Sequence, residues 1–146
     1  MRIADIMTHN VHVASPDDTV GMIARHMAEH DIGFLPVGQN DRLIGMITDR
    51  DIVVRCVAQG RDGDMPVSEI MTNDVRYCFD DEEVSDVARN MADVQVRRLP
   101  VVNREKRLVG VVSLADAART DSWIAGTGLK GVTEPGGLHS QREDYG

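Results

Sequence analysis

The feature that most constrains this chain is that it repeats itself. Ile6-Met7-Thr8 returns as Ile70-Met71-Thr72, and Leu35-Pro36-Val37 returns as Leu99-Pro100-Val101, both 64 residues later. Arg42-Leu43-Ile44-Gly45 returns as Arg107-Leu108-Val109-Gly110 at an offset of 65, so the second copy holds one extra residue between these blocks. Over 3–38 and 42–52, 17 of 47 aligned positions are identical. Self-similarity at this level marks a duplicated structural unit. Many of the remaining pairs keep their character: Ile23 with Val87, Ile47 with Val112, Thr48 with Ser113.

Both copies carry the same periodicities. Residues 11–14 and 75–78 read as short strands. Pro16-Asp17-Asp18 in one copy and Asp80-Asp81 in the other supply a helix start, with acidic residues at the end where the helix dipole favours them. Val20, Ile23, Ala24 and Met27 then fall on one helical face, as do Val84, Val87, Ala88 and Met91. Residues 34–37 and 43–47 pair as a hairpin around Gly38-Gln39-Asn40-Asp41, and 98–102 with 108–112 form its twin. A last helix follows each hairpin, at about 49–58 and 114–120.

The fold class is therefore α/β (α+β), with tandem β-α-β-β-α repeats. A unit of about 55 residues is marginal alone, so the two are expected to pack as an intramolecular pseudo-twofold pair. The expected boundaries are 1–58 for the first repeat, 59–66 for a Gly-rich charged linker and 67–120 for the second repeat. Residues 121–146 have no twin; they are rich in Gly and read as an extended or mobile tail, with Trp123 and Ile124 anchoring its start.

Composition narrows the function classes. Apolar residues are 42% of the chain but aromatics only 3%, so the core is aliphatic and Met-rich. Met7, Met71, Met27 and Met91 occupy equivalent apolar positions and read as core filler. No apolar run reaches the length of a membrane span, and Met1-Arg2-Ile3-Ala4-Asp5 lacks the apolar stretch of a signal peptide. The expected setting is cytoplasmic. A formal charge of −8 argues against nucleic acid as a partner. Cys56 and Cys78 show neither CxxC nor metal-ligand spacing and read as reduced thiols. The chain has no nucleophile elbow, zinc-protease motif, Walker loop or dinucleotide fingerprint, so no enzyme is expected.

Two patterns carry chemistry. Thr48-x-x-Asp51 and Ser113-x-x-Asp116 each lie where the second hairpin strand enters the last helix. A hydroxyl beside the open N–H groups of a first helical turn can hold a phosphate. A carboxylate three residues on can accept hydrogen bonds from both hydroxyls of a ribose. The same residues also make a helix capping box, and the two readings are compatible. The histidines are the second pattern. His26 and His30 are spaced i, i+4, as a metal pair would be, but the sequence shows no third ligand at a useful spacing, so no metal is expected. His9 and His12 flank the first strand, where they read as solvated side chains or as a stacking surface for an adenine.

The Asp-Ile-Met-Thr and Glu-Ile-Met-Thr openings, the two Leu-Pro-Val strands, and the ends Gly-Met-Ile-Thr-Asp-Arg-Asp (45–51) and Gly-Val-Val-Ser-Leu-Ala-Asp (110–116) together resemble a pair of CBS domains, of the stand-alone bacterial hypoxic-response type. The resemblance covers about residues 1–120. It implies a regulatory module without a required cofactor. Such a module takes an adenosine-containing ligand (AMP, ADP or ATP, sometimes S-adenosylmethionine or NAD) in clefts between the repeats. It also implies a homodimer and a downstream protein partner. By analogy, the cleft with Ser113 and Asp116 uses Arg97, Arg98, Val111, Ile32 and Gly33. The cleft with Thr48 and Asp51 uses Met46, Val96 and Arg50. Gly33 would let a ligand approach the backbone; Arg97 and Arg98 would fork onto phosphate oxygens, or else bridge to Glu82 or Glu83. Gly33-Phe34 against Arg97-Arg98 makes the two clefts unequal. The alternative function is a ligand-free scaffold that presents the tail to a partner.

Overall fold

The apolar residues of 12–75 close one unit in the computed structural model, which describes residues 1–118 and 120. Helix α1 (Val20–His30) buries Val20, Ile23 and Met27, the stripe that its spacing dictates. Its first turn is capped by Thr19, whose Oγ1 accepts from the Met22 N–H at 3.1 Å. The acidic run that was expected to start the helix forms a turn before it: the Ser15 N–H donates to the Asp18 carboxylate at 2.9 Å and the Asp18 N–H to the Ser15 carbonyl at 3.0 Å. Strands β1 (Phe34–Gln39) and β2 (Arg42–Thr48) are antiparallel. Asn40 and Asp41 join them with φ of 54° and 64°, the left-handed pair whose twist suits a two-residue hairpin loop.

The strand expected at 11–14 shrinks to one parallel bridge, Ala14 with Val37. This edge explains the Leu-Pro-Val motif. Pro36 faces Met46 across the hairpin, while the Pro36 carbonyl accepts from Ala14 and the Met46 N–H and carbonyl both pair with Thr72. The missing proline N–H would have had no partner on β2, so it costs nothing. After β2 the chain turns through α2 (Asp49–Asp51), a π-helical turn (Ile52–Cys56) and a 3₁₀ turn (Val57–Gln59). The one helix expected at 49–58 thus changes hydrogen-bond register twice before Gly60 ends it at φ 70°.

The unit is completed by the opening of the second repeat. Val67 and Ile70 are buried with Val20, Ile23, Leu35, Val37 and Ile47. The expected linker is part of this packing, since the Val20 N–H donates to the Met65 carbonyl and the Gly21 N–H to the Gly63 carbonyl, both at 2.9 Å.

The other unit pairs residues 1–11 with residues 76–118. Strands β3 (Cys78–Phe79), β4 (Arg98–Val102) and β5 (Leu108–Ser113) form one sheet, parallel between β3 and β4 and antiparallel between β4 and β5. Helix α3 (Val84–Val94) covers it with Val84, Val87, Ala88, Met91 and Val94, and α4 (Leu114–Ala118) follows β5. Ile3 and Met7 are buried among these residues. Each sequence repeat therefore lends its opening segment to the unit built on the other repeat's hairpin, because Ile3/Met7 and Val67/Ile70 find their apolar partners there. The extra residue of the second copy sits in the 103–107 loop. Asn103 Oδ1 gathers the N–H groups of Glu105 and Arg107, both at 3.0 Å, and Lys106 takes φ 63°. The tail expected from 121, with Trp123 and Ile124, lies outside the described residues. Among the described residues no helix is long and apolar enough to cross a membrane.

Candidate functional site

The two hydroxyl–carboxylate pairs are built alike. Thr48 ends β2 and is the N-cap of α2. Its N–H donates to Asp51 Oδ2 at 3.0 Å, and its Oγ1 accepts from the Asp51 N–H at 3.1 Å. In the other unit the Ser113 N–H donates to Asp116 Oδ2 at 2.8 Å, and Ser113 Oγ accepts from the Asp116 N–H at 3.1 Å. Each pair is a reciprocal capping box with Asp as its third residue. Thr48, Asp51 and Asp116 are buried, and Arg55 approaches Asp51 Oδ1 at 3.8 Å. The capping reading is thus physically present in both copies, and it holds both carboxylates in one fixed orientation.

The surroundings of the pairs differ. Phe34 stands opposite Thr48 in the β1–β2 ladder, and Arg98 opposite Ser113 in the β4–β5 ladder. The Gly33 carbonyl accepts from the Asp49 N–H at 3.0 Å, and the Arg97 carbonyl accepts from the Leu114 N–H at 3.0 Å. The space over Gly33 is taken by Asp49, since a Cβ there would lie 2.8 Å from Asp49 Oδ2. The close approach that a glycine permits is taken up here by the Asp49 carboxylate. Beside the first pair, Gly33, Phe34, Asp49 and Arg50 carry no net charge, since Asp49 and Arg50 cancel. Beside the second, Arg97, Arg98, Leu114 and Ala115 add to +2. Arg97 and Arg98 are exposed. The expected alternative partners are engaged elsewhere: Glu83 meets the chain's N-terminal amine at 3.1 Å and Glu82 accepts from the Phe79 N–H at 2.9 Å.

The remaining expected contacts are placed as follows. Met46 and Val96 are fully buried, while Ile32 and Val111 are half-buried and Arg50 is exposed. The Val111 N–H and carbonyl both pair with Thr8, as those of Met46 do with Thr72. Thr72 was not anticipated as a site residue. Its side chain is buried, and Oγ1 finds no hydrogen-bond partner among the described residues. A buried hydroxyl left without a partner is uncommon. Only the Ile-Met-Thr repeat hinted at this position.

Comparison with known proteins matches this architecture. The CBS-domain family profile fits residues 3–57 and 67–122. The chain is 39% identical over 133 residues to CBS domain-containing protein YhcV of Bacillus subtilis, covering 90% of this chain and 94% of that one. It is 42% identical over 117 residues to hypoxic response protein 1 of Mycobacterium tuberculosis, covering 79% and 81%. Among solved structures it resembles Hypoxic Response Protein I with two coordinated zinc ions, with TM-score 0.73 and 39% identity over 82% of this chain and 98% of that one. It also resembles the CBS pair of MJ0100 in complex with 5-methylthioadenosine and S-adenosyl-L-methionine (TM-score 0.71, 29% identity, 84% and 97% covered). A further likeness is to CBSX2 in complex with AMP (0.72, 26%, 84% and 97%). The doubled hairpin-and-helix unit, its paired capping boxes and these matches together place the chain in the CBS-domain family, as a tandem pair of CBS repeats.

Proposed function

We propose that this chain is a regulatory module that senses an adenine nucleotide. The observation that carries this reading is the Thr48–Asp51 pair and its twin Ser113–Asp116, held in one geometry in both units. The adenosyl ligands of CBSX2 and of the MJ0100 pair support the ligand class. In this reading each carboxylate accepts the ribose hydroxyls and each hydroxyl faces the phosphate. Thr72 Oγ1, buried and without a hydrogen-bond partner among the described residues, would gain one from the ligand. Arg97 and Arg98 give the Ser113–Asp116 end its preference for phosphate, by bidentate pairing. Signalling follows from differential binding: the ligand favours one state of the pair, and a partner protein reads that state.

The module is also proposed to act as a homodimer. Val53, Val54 and Val57 are 59%, 44% and 65% exposed on the helical run after β2, an apolar stripe that a second copy would cover.

The test is a titration of AMP, ADP, ATP, NAD and S-adenosylmethionine into the purified protein. A ligand at 100 times its Kd adds about 2.7 kcal/mol of stability, a thermal shift of several degrees for a domain of this size. Asp116→Ala is expected to abolish the strongest of these shifts. Absence of any shift with all five compounds would leave the capping boxes as purely structural and favour the scaffold reading.

A further inference from the structure

The structure supplies what the i, i+4 pair of histidines lacked. His12, in the segment before α1, lies with its ring centroid 4.4 Å from that of His26 and 5.0 Å from that of His30, and His26 and His30 are 4.4 Å apart. One ring nitrogen from each residue can be chosen so that all three lie within 4.8 Å of one another. Two of the rings come from successive turns of one helix face. The third is delivered by the chain where it runs in to pair Ala14 with Val37. We propose that His12, His26 and His30 form a binding site for a zinc-class divalent cation, with water as the fourth ligand.

Four observations carry the assignment. First, the donors are three imidazoles, the set that suits zinc and its late first-row neighbours. Second, His26 Nε2 has no access to solvent and no hydrogen-bond partner among the described residues. A nitrogen in that position is normally satisfied, and a metal would satisfy it. Third, the distances are within reach. Zinc–nitrogen bonds of about 2.0–2.1 Å in a tetrahedron put the nitrogens about 3.3 Å apart. The ring nitrogens already lie within 4.8 Å of one another, and His12 and His30 are exposed, with room for their side chains to turn. Fourth, the cluster is not part of the repeat. The equivalent positions 64 residues on are Arg76, Asn90 and Val94, which offer no such set. Three histidines that meet in one copy, where the other has unrelated residues, are not a by-product of the shared fold.

The site is separate from the nucleotide reading and needs no nucleotide. The experiment uses the full chain without an affinity tag, treated with chelator and dialysed, then titrated with zinc chloride alone by calorimetry. One equivalent of zinc per chain is expected from this cluster, and cobalt(II) in its place is expected to show the visible absorption of a tetrahedral nitrogen-ligated ion. His12→Ala and His30→Ala, both at exposed positions, are expected to keep the circular dichroism spectrum and melting temperature of the parent protein while weakening zinc at least about tenfold each. His26→Gln is expected to do the same, and His9→Ala to leave binding unchanged. Should His26→Gln fail to fold, the two exposed variants still decide the matter. No binding by the parent protein, or zinc binding that survives the double change His12→Ala/His30→Ala, overturns the assignment.

Discussion

At the scale of single residues, burial decides chemistry that residue type alone leaves open. Cys78 is buried in its sheet, and desolvation, with Glu82 and Asp80 adding to it, pushes its thiol pKa up to about 12, well above that of an ordinary thiol. The thiol therefore stays protonated in the folded chain over the whole physiological range. The folded pKa lies above the unfolded one, so the folded state holds a proton that the unfolded state releases. Stability linked to Cys78 is complete below about pH 9 and is lost progressively as pH rises towards 12. Urea denaturation between pH 8 and pH 11 is expected to show this loss in the parent and less of it in Cys78→Ala. In the native state Cys78 is expected to resist alkylation at pH 8; rapid modification there would contradict the burial. The hydroxyls of the two capping boxes are a second residue-scale case. Thr48→Ala and Ser113→Ala each remove the acceptor for an N–H in the first helical turn and are expected to cost about 0.5–2 kcal/mol in chemical denaturation, in addition to any loss of ligand binding.

At the scale of elements, the motif glycines and the Ile-Met-Thr openings are mates. A Cβ on Gly45 would lie 2.7 Å from Met71 Sδ and 2.9 Å from the Thr72 carbonyl oxygen. A Cβ on Gly110 would lie 2.7 Å from the Thr8 carbonyl oxygen and 2.8 Å from Met7 Sδ. The methionine sulfurs could turn away, but the two carbonyl oxygens belong to the backbone, so side-chain rotation does not relieve the approach. Gly45→Ala and Gly110→Ala are expected to destabilise by about 1–3 kcal/mol each, as overpacked sites do, and equilibrium unfolding in urea measures it. Changes under about 0.5 kcal/mol would mean that the openings do not dock on β2 and β5 as described. The hairpins and helix faces were legible in the sequence because each rests on local periodicity and on turn residues such as Asn40-Asp41. The strand expected at 11–14 was over-read: its apolar alternation is real, but only Ala14 finds a strand to pair with. The start of α1 was misplaced because Asp18 serves Ser15 in a turn, leaving Thr19 to cap the helix.

At the scale of the molecule, the proposal of a homodimer has a direct test. Val53→Glu combined with Val57→Glu places two charges on the exposed apolar stripe, where neither side chain is needed by the core. Sedimentation equilibrium is expected to show a dimer for the parent chain and a monomer for the double variant, with the melting transition retained. A dimer unaffected by both charges would move the interface elsewhere.

The sequence by itself determined that the chain is doubled, that each copy holds a helix, a hairpin and a final helical turn, and that a hydroxyl–carboxylate pair recurs at the same spot in both. All of these depend on neighbours a few residues apart or on direct comparison of the copies. Only the tertiary structure decided which opening segment completes which unit, because Val67 and Ile70 could satisfy their burial against either hairpin as far as pattern goes. It alone decided that Gly33 accommodates Asp49 and that Arg97 and Arg98 stand beside Ser113 without Glu82 or Glu83 as partners. It also brought His12 to His26 and His30. That meeting depends on the path of a segment with no regular structure of its own, which no periodicity encodes.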